Sequence, residues 1–211
     1  MKNSVTVFLQ QGSHKQNAKT IKQLIESELI KEIIIVSSDE KYSSFEKATV
    51  IHSKHFNSSE TIKLFAQFSS TEYTMIISEQ NSIKPGQFCL DRFFQIAKNT
   101  NASMVYSDFY EEDKGKLTPH PVIDYQEGSL RDDFDFGKIL FVRTDLLKSV
   151  AKRDESNFRF AGLYNLRLGL AQLGRIIRVP EYLYTVESPE EIGTEEKHFS
   201  YVDPKNREVQ I

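Results

Sequence analysis

Two clusters of acidic side chains are the residues of this sequence best suited to bind a cation or a hydroxyl group. The first cluster contains Asp108, Glu111, Glu112 and Asp113. Carboxylate oxygens at the end of a strand can hold a hard cation or accept a hydrogen bond from a hydroxyl group. A solvated turn is the alternative for Glu112 and Asp113, because Asp-Lys-Gly-Lys at 113–116 is typical of a hairpin. Asp108 directly ends an apolar run, so we assign it to the candidate site.

The second cluster consists of Asp132, Asp133 and Asp135, next to Arg131. If this stretch is extended, Asp133 and Asp135 lie on the same face, because side chains alternate along a strand. The two carboxylates could then bind a metal ion or accept a hydrogen bond from a sugar hydroxyl. Ion pairing with Arg131 or capping of a helix explains the same residues equally well, so both interpretations stay open.

His120 lies between Pro119 and Pro121, which favour an extended loop around it. We expect a surface histidine here more than a general base, and no second His or Cys occurs at metal-ligand spacing from it. The sequence also contains no Gly-x-Gly and no Gly-x-Ser-x-Gly. These absences argue against a phosphate-binding glycine loop and against a serine hydrolase.

The composition excludes several broad classes of protein. The 211 residues carry a formal net charge of −3, which gives no electrostatic reason to bind nucleic acid. The single cysteine, Cys89, excludes an intramolecular disulfide, and its apolar neighbours predict a buried helical thiol in a reducing, cytoplasmic location. No apolar run approaches the roughly 20 residues that span a bilayer, and the first residues do not form a signal peptide.

The elements that must position these residues alternate between strand-like and helix-like patterns. Strands are predicted from the apolar runs at 5–9, 33–36, 74–77, 103–106 and 139–142. A helix is predicted from the stripe Ile21, Leu24, Ile25 and Leu29, and similar stripes follow later. Strands that are apolar on both faces need helices on both sides, so we expect one α/β domain with a mostly parallel sheet in a three-layer α/β/α arrangement. Ligands bind beyond the carboxyl ends of such strands, here 10–13, 37–40, 78–82 and 107–112.

The order of several segments resembles the family 2 glycosyltransferases, which have the GT-A fold with its Rossmann-type sheet. The first strand at 4–9 leads into Gln-Gln-Gly-Ser at 10–13, similar to the first strand and loop of those enzymes. Val-Pro-Glu-Tyr-Leu-Tyr at 179–184 is similar to their closing strand. Other similar segments lie between them, at 32–39, 72–86, 102–108 and 160–168.

The resemblance covers about residues 4–186 and implies a GT-A-like domain over 1–186. We expect 187–211 to be an extension that continues into a longer protein, with an additional domain beyond it. The implied activity is transfer of a sugar from a nucleotide-diphosphate donor to the hydroxyl of a glycan or a lipid-linked acceptor. Nucleotidyl transfer is disfavoured, because the sequence lacks a glycine-rich loop with a lysine.

The resemblance also implies positions for the donor. It implies that the nucleotide sugar is bound by Gln10, Ser37, Ser38, Asp39, Ser78 and Glu79. The family's base-reading Asp pair corresponds to Ser37 and Ser38, with Asp39 adjacent. Its metal-binding Asp-x-Asp corresponds to the degenerate Ser-Glu-Gln at 78–80, which implies a Mn²⁺ or Mg²⁺ ion at Glu79.

The family's catalytic base corresponds to Gly162 and Leu163, which cannot accept a proton. An active enzyme would therefore use Asp108, Asp133 or Asp135 as its base. The alternative is a catalytically inactive glycosyltransferase-like domain that binds a nucleotide sugar or a glycan, or serves as a scaffold, in a larger protein.

Overall fold

The computed structural model describes residues 2–42, 45–126 and 134–188. Asp132 and Asp133 lie outside these residues, as does nearly all of the predicted extension at 187–211. The helices and strands of the described part are β1 (Val5–Gln10), α1 (His14–Leu24), β2 (Ile30–Ser37), β3 (Thr49–His52), α2 (Ser59–Phe68), β4 (Tyr73–Ile77), β5 (Ile83–Pro85), α3 (Cys89–Thr100), β6 (Met104–Asp113), β7 (Lys116–His120), β8 (Ile139–Arg143), α4 (Thr144–Arg153), α5 (Gly162–Leu173) and β9 (Ile176–Glu187).

All the described strands belong to one sheet in the order β3-β2-β1-β4-β8-β6-β9-β5, with β7 paired to the outer part of β6. The half β3-β2-β1-β4 is parallel, whereas β8 runs antiparallel to both β4 and β6. The strand at 33–36 is buried on both faces, as its continuous apolar sequence predicted. The predicted α/β class, a sheet flanked by helices, is therefore confirmed.

The order in which successive strands are added to the sheet changes direction between β1 and β4. From β1 it passes outward to β2 and β3, and then it returns to place β4 on the other side of β1. The chain that follows β1 therefore leads to a strand on one side of β1 in the sheet, and the chain that follows β4 leads to strands on the other side. Such a switch point opens a crevice at the carboxyl edge of the strands, which is where ligands bind in open α/β sheets.

Two helices, α1 and α2, begin next to this crevice, and each is capped by the serine that precedes it. Ser13 and Gln16 form a reciprocal capping box: Gln16 N donates to Ser13 Oγ at 3.3 Å, and Ser13 N donates to Gln16 Oε1 at 2.9 Å. The helix α2 is capped by Ser58, whose hydroxyl accepts from Thr61 N at 3.2 Å. The caps fix the loops after β1 and β3.

The segment after 106 differs from its prediction. The strand β6 does not end at Asp108 but continues to Asp113, and its pairing with β9 shifts register on both sides of Asp108. The interrupted register hides the alternation that would have indicated a long strand. The predicted hairpin at 113–116 is confirmed, with positive φ at Lys114 and Gly115. His120 lies at the end of β7 opposite Phe109 rather than in a loop.

Candidate functional site

A pocket of about 230 Å³ lies at the carboxyl ends of the parallel strands. Its walls come from the loops after β1, β2, β3 and β4, and from the segment before α5. The lining residues are Gln10, Gln11, Val36, Ser38, Ser53–Asn57, Gln80 and Phe160. The predicted edge of the sheet thus carries a cavity, and among the predicted donor contacts Gln10 and Ser38 line it.

The loops after β1 and β4 touch each other at the switch point. A Cβ atom on Gly12 would lie 1.9 Å from the carbonyl oxygen of Gln80, so only glycine fits there. Gln16 Nε2 donates to Asn81 Oδ1 at 3.1 Å across the same contact, and Gly12 N donates to Asn17 Oδ1 at 3.0 Å. One side of the pocket is therefore a preformed wall.

Ser37 and Asp39 organise the loop after β2 behind the pocket. The buried Ser37 hydroxyl lies 2.5 Å from Gln11 Oε1 and accepts from Asp39 N at 2.9 Å. Asp39 Oδ1 in turn accepts from Lys41 N at 2.9 Å. Within the described residues, these bonds orient the Gln11 side chain and present Ser38 to the pocket.

Ser78 and Glu79 connect the loop after β4 to the start of β8. Glu79 Oε1 accepts from the backbone N–H groups of Gln80 and Asn81, both at 2.9 Å. Ser78 N donates to the carbonyl oxygen of Lys138 at 3.0 Å, which continues the β4–β8 ladder by one residue. The carboxylate of the half-buried Glu79 is therefore turned back on its own loop.

Asp108 is buried at 3% exposure, and its carboxylate is surrounded by donors. Arg178 Nε and Nη2 donate to its two oxygens at 2.9 and 2.8 Å, and Val122 N donates to Oδ1 at 3.1 Å. The hydrogen bond to Asp108 is the main reason that the pKa of Arg178 is raised. Tyr106 fixes the same segment, since its hydroxyl donates to the carbonyl oxygen of Ile123 at 2.7 Å. Asp108 therefore anchors the chain after β7 to the sheet.

Asp135 forms a cluster with His120 that sequence reasoning missed. Asp135 Oδ2 lies 2.9 Å from His120 Nε2, and Glu111 Oε1 lies 3.4 Å from Nδ1 of the same ring. Asp135 Oδ1 accepts from Gly137 N at 2.7 Å, and the imidazole stacks on Phe109 with ring centroids 4.3 Å apart. Among the described residues the ring is hydrogen-bonded through Nε2, so Nδ1 is the nitrogen that could accept a proton from a hydroxyl group. The signal in the sequence was weak, because Asp135 follows His120 by 15 residues.

The residues before α5 connect that helix to α2. The backbone N–H groups of Gly162 and Leu163 both donate to the carbonyl oxygen of Asn57, at 2.7 and 3.2 Å. A Cβ atom on Gly162 would lie 2.3 Å from the carbonyl carbon of Ser58. Gly162, at the position that the resemblance assigned to a catalytic base, therefore allows α5 to pack closely against the start of α2. Phe160, two residues earlier, lines the pocket.

The sheet order, the flanking helices and the pocket at the switch point define a GT-A-like fold. The chain is similar to S. aureus TarS 1-349 in complex with UDP-GlcNAc, with a TM-score of 0.64 and 15% identity over 98% of this chain and 64% of that chain. The UDP complex of TarS 1-349 gives a TM-score of 0.59 and 12% identity over 88% of this chain and 60% of that chain. The bifunctional IspDF from Campylobacter jejuni gives 0.50 and 13% identity over 86% of this chain and 50% of that chain.

The likeness to these structures shows the fold, which is GT-A-like. The chain spans less than two thirds of the length of each of the three. No protein-family model matches the sequence, and no curated protein matches it. In the part of the chain that the structure describes, no helix has the length and apolar character needed to cross a membrane.

Proposed function

We propose that this chain binds a nucleotide-diphosphate sugar in the pocket at the carboxyl edge of β1–β4 and transfers the sugar to an acceptor hydroxyl. The observation that carries the proposal is the position of the pocket, at the switch point between β1 and β4. Structural likeness to TarS, solved with UDP-GlcNAc and with UDP, supports a uridine nucleotide as the donor.

The pocket wall supplies groups that suit a nucleoside. The amides of Gln10 and Gln11 and the hydroxyl of Ser38 offer donors and acceptors for the edge of a base. The rings of His55 and Phe160, with centroids 4.8 Å apart, provide apolar faces against which a base or ribose can pack. Small-molecule sites commonly combine such faces with a few polar groups.

The acceptor side of the proposed reaction uses His120 and Asp135. The acceptor oxygen attacks the anomeric carbon of the sugar, the bond from that carbon to the diphosphate breaks, and the hydroxyl proton passes to Nδ1 of His120. Asp135, 2.9 Å from Nε2, orients the ring and leaves Nδ1 to take up the proton. Asp133 stays a predicted alternative base outside the described residues. The predicted cytoplasmic location and the glycan or lipid-linked acceptor also remain predictions.

Calorimetry with UDP and UDP-sugars tests the donor site. We expect the wild type to bind UDP. Binding should weaken at least tenfold in Ser38→Tyr, because a tyrosine side chain at this position would occupy part of the pocket. The matched control is Ser27→Tyr, since Ser27 lies after α1, away from this pocket. A wild-type protein that gives no heat with any uridine nucleotide would refute the proposal.

A second candidate function, a binding domain without transfer, is favoured by one observation. The site that corresponds to the family's base is occupied by Gly162, packed against the backbone of Ser58 with no carboxylate. The two functions separate in a turnover assay: a binding domain retains UDP-sugar affinity but releases no UDP, with or without acceptor. Detectable UDP release that falls strongly in His120→Gln would favour transfer.

A further inference from the structure

A divalent ion does not fit the loop after β4, where the resemblance to glycosyltransferases implied one. Glu79 is its only carboxylate, and Oε1 already accepts two backbone N–H groups. The amide oxygen of Asn81 is also taken, because it accepts from Gln16 Nε2. Throughout 2–42, 45–126 and 134–188, no group of three or more His, Cys, Asp and Glu side chains is placed to hold a metal. An ion here would have to break bonds that shape the loop.

A cation of the protein itself lies next to this loop. The carbonyl oxygen of Lys138 accepts from Ser78 N at 3.0 Å, so Lys138 stands beside the residue that precedes Glu79. Its ammonium group lies 6.0 Å from the centre of the Phe109 ring, which keeps the half-buried stem against the sheet. Among the described residues, no carboxylate forms an ion pair with this ammonium group. A half-buried lysine without an anionic partner is suited to meet an anionic ligand.

A second lysine, Lys54, lines the pocket itself. Lys54 follows Ser53, whose backbone N donates to the carbonyl oxygen of Ser37 at 3.0 Å, and its exposed side chain lines the cavity. Lys54 and Lys138 thus flank the carboxyl edge from the β3 side and from the β8 side. Lysine is a common phosphate ligand that acts as a point charge. A cation fixed near a leaving diphosphate also stabilises the charge that develops on it.

We infer that Lys138 and Lys54 neutralise the diphosphate of the bound nucleotide and take the place of a divalent ion. The inference rests on the proposed donor site and specifies how that site holds its phosphates. It explains why the loop after β4 can use Glu79 for its own backbone. Because the attraction is between charges at a partly open surface, binding should also weaken as salt concentration rises.

The test uses calorimetry on the whole chain with two probes, inorganic pyrophosphate and UDP, in EDTA and again with Mn²⁺. We expect both probes to bind in EDTA, with less than threefold change on adding Mn²⁺. Lys138→Met and Lys54→Met should each weaken binding about tenfold or more, and Lys138→Arg should restore most of it. Lys152→Met is the matched control, because Lys152 is an exposed lysine in the last turn of α4. Methionine keeps the stem over Phe109 and so preserves the fold.

The outcomes separate this inference from the proposed function. Binding of UDP that requires Mn²⁺ and is lost in Glu79→Gln would overturn the inference and leave the donor site standing. Binding of pyrophosphate in EDTA without binding of any uridine nucleotide would support the two lysines and refute the donor site. Binding in EDTA that is equal in the Lys138, Lys54 and Lys152 variants would overturn the role of the lysines. Failure of both probes would overturn both proposals.

Discussion

Asp108 and Arg178 form a buried ion pair in which both nitrogens of one edge of the guanidinium face both carboxylate oxygens, at 2.9 and 2.8 Å. The side chains are 5% and 17% exposed. Such a two-point pair holds its geometry tightly. Because Val122 N donates to the same carboxylate, the pair ties the end of the β6–β7 hairpin to β9. Asp108 thereby lies where a base was predicted, yet its oxygens are used for structure.

Replacing Asp108 by alanine is expected to lower the free energy of unfolding by about 1–3 kcal/mol, because Val122 N loses its acceptor and Arg178 keeps only its 3.4 Å contact to the exposed Asp124. Urea denaturation of Asp108→Ala measures this loss. The control is Glu181→Ala, which breaks the half-exposed Arg92–Glu181 pair and should cost less than about 1 kcal/mol. Equal losses in the two variants would contradict a structural role for Asp108.

Replacing Gly12 by alanine should distort the side of the pocket that is formed by the loops after β1 and β4. The new Cβ would lie 1.9 Å from the carbonyl oxygen of Gln80, so the loops after β1 and β4 must move apart. We expect a loss of about 1–3 kcal/mol in stability, typical of overpacking, together with weaker UDP binding. Thermal unfolding and calorimetry measure the two effects.

Gly115→Ala serves as the control for this change. Gly115 lies in the β6–β7 turn with a φ of +79° and open space around it. Alanine at this position would therefore strain the backbone without a steric clash, and it would do so away from the pocket. Stability should fall by about 1–2 kcal/mol while UDP affinity stays unchanged. If both glycine variants bound UDP like the wild type, the contact between the loops would have no part in the site.

The thiol of Cys89 is expected to be unreactive in the folded protein. Cys89 is 2% exposed at the start of α3, and burial raises its pKa to about 12. At pH 8 the thiolate, which is the reactive form, is therefore scarce as well as inaccessible. Labelling with Ellman's reagent at pH 8 should be slow in buffer and rapid in concentrated urea. Fast labelling of the native protein would show that α3 opens readily.

The sequence could predict the edge of the sheet that carries the pocket, because Gln10 and Ser38 directly follow apolar strands whose parallel arrangement places their ends together. It could not predict the environment of Asp108, since its partner Arg178 is 70 residues away and no local pattern connects them. The pair of His120 and Asp135 was hidden for a related reason. It exists only because β7 folds back on β6 far enough to set His120 opposite Phe109, whereas the prolines on both sides of His120 indicated a loop.

The pairing of His120 with Asp135 makes the sharpest prediction about catalysis. If His120 accepts the proton of the acceptor hydroxyl, His120→Gln should lower kcat for sugar transfer by about 10²–10⁴-fold, because general-base catalysis contributes that much. The affinity for UDP should not change, since neither residue lines the nucleotide pocket. Asp135→Asn should lower kcat less, because it removes the carboxylate that orients the ring and leaves the ring itself in place.

The control for both changes is Glu112→Gln. Glu112, on β6 opposite Leu117, is a half-buried residue of the same hairpin and is not paired with His120. Its kcat should match that of the wild type. A His120→Gln variant with unchanged kcat would remove His120 from the mechanism and leave Asp133 as the remaining predicted base. A fall in kcat that comes with an equal loss of UDP affinity would instead indicate that the β6–β7 hairpin supports the pocket.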